Sequence, residues 1–310
     1  MSITEHGLHP SDAAVMQQMR AYMATQPKMD VSPEAREAFA GYMATMPGDD
    51  TVTIEPATIG GVDGLWCRPR SAVPLAAVLH FHGGAYVAGS AEGYRNFGSR
   101  IAAAAGVDLF LPDYALAPEK IFPAALEDAQ SVLHSLVAQG TTAIALTGDS
   151  AGGGLALALA QHGLHDRAAE AMAVRALVLM SPWTDLTLGA EGLSSREAVD
   201  PVLTRAALSA SAALYAPRGI DRADPRLSPL FGMTAGMAPV LIHVGSDEIL
   251  LDDSLSVEKA GEASGSSVEV HVWEGMTHVF PANSEALRAA EEALRMTGAF
   301  LRSHLTESKA

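Results

Sequence analysis

The stretch AIALTGDSAGGGLALALAQ, residues 143–161, contains a strand, a turn and a helix start in immediate succession. Ala143 to Asp149 is a nearly continuous apolar run of strand length, as expected for a strand covered on both faces. From Ala151 the chain becomes a helix-forming run. Passing directly from one to the other requires a sharp turn, and Gly148 and Gly152 flank Ser150 at two residues on either side, so the two elements can approach closely. Ser150 then stands with its hydroxyl exposed and a helix N-terminus beneath it. A tight strand-to-helix connection without chemistry is the plainer reading of the same glycines.

The alternation extends in both directions. Towards the N-terminus lie AAVLHF (76–81), a helical pattern from Phe97 to Ala105, VDLFLPDY (107–114) and a helix over 124–139. Towards the C-terminus the Ala151–His165 helix is followed by strands at 174–181 and 238–246, a helix over 250–265, a strand at 267–275 and a final helix from Ser284 to about His304. Strands alternating with helices predict a mostly parallel sheet with helices on both faces. TVTIEPATI (51–59) and LWCRPR (65–70) have period two instead and predict an antiparallel edge. Residues 1 to about 47, with Met16, Met19, Tyr22 and Met23 and then Phe39, Tyr42 and Met43 at helical spacing, predict two helices. That Met stripe reads first as a face packed on the rest of the protein, and second as a flexible apolar wall over a binding site. Residues 185–225 interrupt the rhythm with a helix over 201–215 and the turn-rich PRGIDRADPR, an excursion over the sheet's C-terminal edge.

Composition excludes several functional classes. The 310 residues are 48% hydrophobic and 18% charged, enough to bury one large core or two ordinary ones. A net charge of −16 makes phosphate backbones and anionic lipid surfaces poor partners. No apolar stretch has the roughly 18–20 residues that cross a bilayer. The single Cys67 precludes an intramolecular disulfide, and MSITEHGLHP lacks the pattern of a secretory signal, so a reducing cytoplasm is the expected setting.

A serine hydroxyl needs a base held by an acid, and in this fold class the three follow in the order Ser, Asp or Glu, His. Asp247 lies just past the strand PVLIHVG and His278 in the loop after the last strand, so both belong to the edge that presents Ser150. Glu248, Asp252 and Asp253 are rivals to Asp247, read as solvated residues opening the next helix. His80, His243 and His271 fall inside strands and read as satisfied packing residues; His162 and His165 are three apart on a helix, with no further ligands to complete a metal site. Consecutive glycines in Phe81-His82-Gly83-Gly84-Ala85-Tyr86-Val87 can aim backbone N–H groups at one point, which predicts an oxyanion hole from the amides of Gly83 and Gly84, joined by Ala151. His82 reads as a loop-shaping residue and Asp149 as a supporting carboxylate.

Together, His82-Gly83-Gly84, the Gly148-to-Gly153 turn, Asp113-Tyr114-Ala115-Leu116-Ala117-Pro118-Glu119 with Phe122-Pro123-Ala124-Ala125, and the Asp247 and His278 loops resemble the bacterial hormone-sensitive-lipase-like esterases over residues 50–310. The resemblance implies an α/β-hydrolase sheet of about eight strands, a helical cap at 1–47 with a second cap segment at 185–225, a catalytic domain over 48–310, and cofactor-free, metal-free hydrolysis of short- to medium-chain acyl esters by Ser150, Asp247 and His278. A homodimer is left open. The chain departs from the family pattern at three places. Ala85 replaces a third glycine, which fits if that position does not require positive φ. Asp247-Glu248-Ile249 replaces Asp-Pro-Leu, removing a rigidifying proline. Ala115 replaces an Arg, so an ion pair is expected to be missing. Lactones and amides are alternative substrates for the same triad, and a small-molecule receptor that has lost catalysis is the alternative from another class.

Overall fold

Apolar runs without alternation become interior strands here, because only helices on both faces can remove such runs from water. A computed structural model describes residues 3–26, 31–162 and 173–306. In it β4 (Ala76–Phe81), β5 (Leu109–Pro112), β6 (Ala143–Asp149), β7 (Val174–Met180), β8 (Val240–Gly245) and β9 (Val268–Trp273) run parallel, joined at one edge by the antiparallel pair β2 (Thr53–Ile59) and β3 (Val62–Arg68). The order across the sheet is β1-β9-β8-β7-β6-β4-β5-β3-β2.

The sheet therefore has nine strands among the described residues, not about eight. The additional strand is β1 (Ile3–His6), paired parallel with β9 from Ile3 opposite Val270 to His6 opposite Trp273. Four residues at the start of a helical segment carry no usable periodicity, so this strand arises from the open edge of β9 and not from a local pattern. His6 stacks on Trp273 at 3.8 Å between ring centres and meets His271 at 2.7 Å, fixing the register.

Helices α3 (Ala91–Ala105) and α8 (Arg288–Thr306) cover one face; α4 (Ala124–Ala138), α5 (Ala151–His162) and α7 (Leu251–Ser264) cover the other. Two elements precede the sheet proper, α1 (Pro10–Met23) and α2 (Arg36–Met43). Between β7 and β8 the chain makes one helical turn at Gly192–Ser195 and then α6 (Arg205–Tyr215), capped by the Thr204 hydroxyl on the Ala207 amide at 3.0 Å. The core is continuous through both faces, and a satellite cluster of Met16, Trp273, Met276, Phe280 and Leu287 seats α1 against α8. Among the described residues no helix is long and apolar enough to cross a membrane.

Candidate active site

The strand-to-helix turn after β6 is compressed to a degree that only glycine permits. A Cβ on Gly152 would land on the carbonyl of Phe81, and one on Gly148 on the backbone of Gly152. Ser150 sits between them at φ +52°, its amide donating to Met180 O at 2.9 Å and its carbonyl accepting from Trp183 N at 2.9 Å. A non-glycine residue in the left-handed region at such a turn is strain held by its surroundings.

His278, in the loop after β9, lines the same pocket as Ser150. Its Nδ1 lies 2.8 Å from Glu248 Oε2, and the Glu248 side chain is fully buried. The acid beside this histidine is thus Glu248, and the expectation of Asp247 is corrected. Asp247 points the other way, 2.6 Å from Arg20 of α1, with a third of its side chain exposed. Two more donors hold Glu248: Oε1 accepts from the Ser181 hydroxyl at 2.8 Å and the Gly245 amide at 2.6 Å. Ser181 also accepts the Val279 amide at 3.0 Å, so it ties the acid to the histidine loop. Burial alone pulls the His278 imidazole down, but the hydrogen bond and charge of Glu248, with Asp200 and Asp149 behind, outweigh it and hold its pKa above the ordinary value.

The glycine loop after β4 departs from expectation at both ends. The Gly83 amide is already engaged, donating to Asp149 Oδ1 and Tyr94 Oη at 3.1 Å each, so it is not an open donor. Gly84 turns the loop at φ +115°, and Ala85 follows at φ +55°, so this position does require the left-handed region that an Ala enters at a cost of about 1 kcal/mol. Among the described hydrogen bonds none uses the amides of Gly84 or Ala85, and both residues line the pocket. The Ala151 amide opens α5, where a helix leaves its first N–H groups unbonded. His82 is buried, stacked on Tyr114 at 4.3 Å, with Nδ1 against Gly83 O at 2.8 Å. Burial holds its pKa down. It shapes the loop, and buried Asp149 supports it from beneath through Gly83 and Tyr94 Oη at 2.9 Å.

The remaining wall is apolar. Phe39, Met43 and Met46 contribute from the N-terminal segment, Val202, Leu203 and Leu208 from the segment between β7 and β8. Glu119, in the same stretch as Ala115, pairs with Arg36 of α2 at 2.7 Å, and Arg36 also donates to Val87 O and Ala117 O at 2.6 Å each. No group of three or more His, Cys, Asp or Glu among the described residues could hold a metal. His162 ends α5, whereas His165 lies outside the described residues.

Glu248 enters the sequence reading only as a solvated rival of Asp247, and Ser181 and Asp200 do not enter it. A signal existed for the first. Glu248 is followed by Ile249, Leu250 and Leu251, all buried, which marks a turn folding back into the core and not a helix opening into water. Asp253 was likewise read as solvated but is buried, its Oδ2 taking the amides of Thr184 and Asp185 at 2.7 and 3.0 Å.

Comparison with known proteins agrees with this architecture. A family model described as the alpha/beta hydrolase fold matches residues 78–282. An acetyl-hydrolase of Streptomyces hygroscopicus is 36% identical over 279 residues, covering 89% of each chain. An esterase of Acinetobacter venetianus is 32% identical over 279 residues, covering 89% of this chain and 91% of its own. The crystal structure of an esterase from the bacterial hormone-sensitive lipase family superposes with a TM-score of 0.86 at 32% identity, over 96% of this chain and 99% of that one. The chain belongs to the α/β-hydrolase-fold family, in its bacterial hormone-sensitive-lipase-like branch, and is a serine hydrolase of carboxylic esters.

Proposed function

We propose that Ser150, His278 and Glu248 are the catalytic triad of a carboxylesterase for short- to medium-chain acyl groups, with the amides of Gly84, Ala85 and Ala151 as its oxyanion hole. The observation that carries this reading is one apolar pocket lined by both Ser150 and His278, with a buried carboxylate on the far nitrogen of the imidazole. Ser150 Oγ attacks the ester carbonyl carbon while His278 Nε2 takes its proton; Glu248 orients the ring and stabilises the imidazolium. The carbonyl electrons move onto the oxygen, facing the three amides. Collapse of this intermediate expels the alcohol, which receives the proton from His278 and leaves an acyl-serine. Water then attacks by the same sequence and releases the acid and free Ser150.

Residues 1–47 and 185–225 act as the cap in this reading, since side chains from both form the acyl wall. The relatives named as acetyl-hydrolases support a short acyl group, and the apolar side chains lining the pocket support longer ones as well. The cytoplasm is the proposed setting, consistent with a single thiol, Cys67, that burial pushes up to a pKa of about 12, leaving it unreactive. Subcellular fractionation tests the setting, and size-exclusion chromatography tests whether the active species is a homodimer.

Ser150→Ala should lower kcat by at least about a thousandfold without loss of folding. An organophosphonate should add its mass to Ser150 in the wild type. Activity retained in Ser150→Ala, or label on another residue, would remove Ser150 from the mechanism.

A further inference from the structure

Asp200 lies between β7 and β8, is 1% exposed, and is used from two directions. Oδ1 accepts the amides of Val202 and Leu203 at 2.7 and 2.9 Å, and both of these residues are in the apolar wall of the pocket. Oδ2 accepts the amide of Ile249 at 2.9 Å, the residue after Glu248. A carboxylate is taken this far out of water only at a cost, which hydrogen bonds such as these offset.

The neighbouring contacts repeat the connection. Arg20 donates to Asp247 at 2.6 Å and to the carbonyl of Val199, the residue before Asp200, at 2.7 Å. Asp247 and Ile249 are therefore both anchored to the 199–200 pair, one through Arg20 and one directly, and Glu248 between them is left to face His278.

We infer that Asp200 is a positioning residue: a single buried carboxylate fixes both the pocket wall at Val202 and Leu203 and the turn that presents Glu248. The inference rests on Ser150, His278 and Glu248 being the catalytic set. Its consequence is that acyl-chain fit and the state of the base are coupled. Three carboxylates act on His278 from three elements: Glu248 after β8, Asp149 at the end of β6, and Asp200 from the cap segment. Loss of the Asp200 charge lowers the imidazole pKa and loosens the wall together.

The test is kcat/KM against pH, on acetate and octanoate p-nitrophenyl esters, for the wild type, Asp200→Asn, Asp200→Glu and Glu248→Gln. Asp200→Asn should move the acid limb down by about half a unit and lower the octanoate-to-acetate ratio at least ~3-fold. Asp200→Glu, which keeps the charge and lengthens its arm, should leave the limb in place and lower the ratio. It also decides the matter if Asp200→Asn does not fold. A wild-type limb and ratio in the Asp200 variants, with a shifted limb in Glu248→Gln, would overturn the inference and leave the triad standing. Wild-type kcat and limb in Glu248→Gln would overturn the triad, and with it this inference.

Discussion

Asp247 and Glu248 are adjacent carboxylates that differ by one methylene, yet one is pinned by a half-buried guanidinium and the other is buried against an imidazole. Their variants should therefore diverge. Glu248→Gln should lower kcat by roughly 10²–10⁴-fold, because a Gln neither fixes the tautomer nor offsets the imidazolium charge. Asp247→Asn should stay within a few-fold of the wild type, since its partner Arg20 keeps two carbonyl acceptors, Val199 O and Gly275 O. The reverse ranking in steady-state kinetics would return the acid to Asp247. His278 must be neutral to accept the serine proton, and its pKa is held above 6.5. The acid limb of wild-type kcat/KM should accordingly be centred above pH 6.5, and a midpoint below 6 would contradict the Glu248 contact.

At the scale of elements, the N-terminal segment is joined to the last helix by an acceptor in one and donors in the other. Asp12 of α1, 1% exposed, accepts the amides of Arg288 and Ala289 at 3.0 and 2.9 Å, supplying from a distant helix the cap that α8 lacks locally. Asp12→Ala should cost about 1–2 kcal/mol in urea unfolding, as cap removals do. A change under about 0.3 kcal/mol would mean that Met16 and its apolar neighbours alone seat the helix. Three buried or half-buried histidines, His243 of β8, His6 of β1 and His82 after β4, act in the acid range. Burial drives His243 down to about 3, helped by the nearby His271 and His6, and its Nδ1 accepts the Trp273 indole N–H at 3.3 Å. Burial likewise lowers His6 and His82. A histidine depressed in the folded state contributes stability above its unfolded pKa of about 6.5 and loses it as pH falls towards the folded value. The stability these histidines contribute should thus decline as pH falls below 6.5, while Asp253, raised to about 7 by burial, takes up its proton in the folded state and opposes the decline. His278 has the opposite sign and acts above 6.5, so equal slopes for the wild type and His243→Gln in this window would show that His243 protonates without opening the structure.

Across the whole molecule, residues 3–43 do more than cover a pocket. They add a ninth strand, cap the final helix through Asp12, clasp the loops at Asp247 and Gly275 through Arg20, and pair Arg36 with Glu119. Deleting residues 1–40 should therefore yield insoluble or partly unfolded protein, seen as loss of a cooperative thermal transition. The contribution of the cap to selectivity is better isolated with Met43→Ala, a wall residue 5% exposed. That change should lower kcat/KM on octanoate at least several-fold more than on acetate, because a two-carbon acyl group touches little of the wall. Equal losses on the two esters would place chain-length selection in the 185–225 segment.

The sequence by itself determined the sheet, the nucleophile turn and the histidine loop. Continuous apolar runs permit only a strand buried on both faces, and Gly148 and Gly152 flank a turn that admits no Cβ. These are local constraints, legible one stretch at a time. Tertiary structure decided the rest, where the deciding partner lies far along the chain. Glu248 is the buried acid because Ser181, Gly245 and His278 converge on it, and Asp247 faces out because Arg20, 227 residues away, receives it. Gly83 is not an open donor because Asp149 and Tyr94 take its amide. Strand β1 forms because β9 offers an unpaired edge. In each case neighbouring residues of similar chemistry compete for one place, and the choice rests on hydrogen bonds that no local pattern encodes.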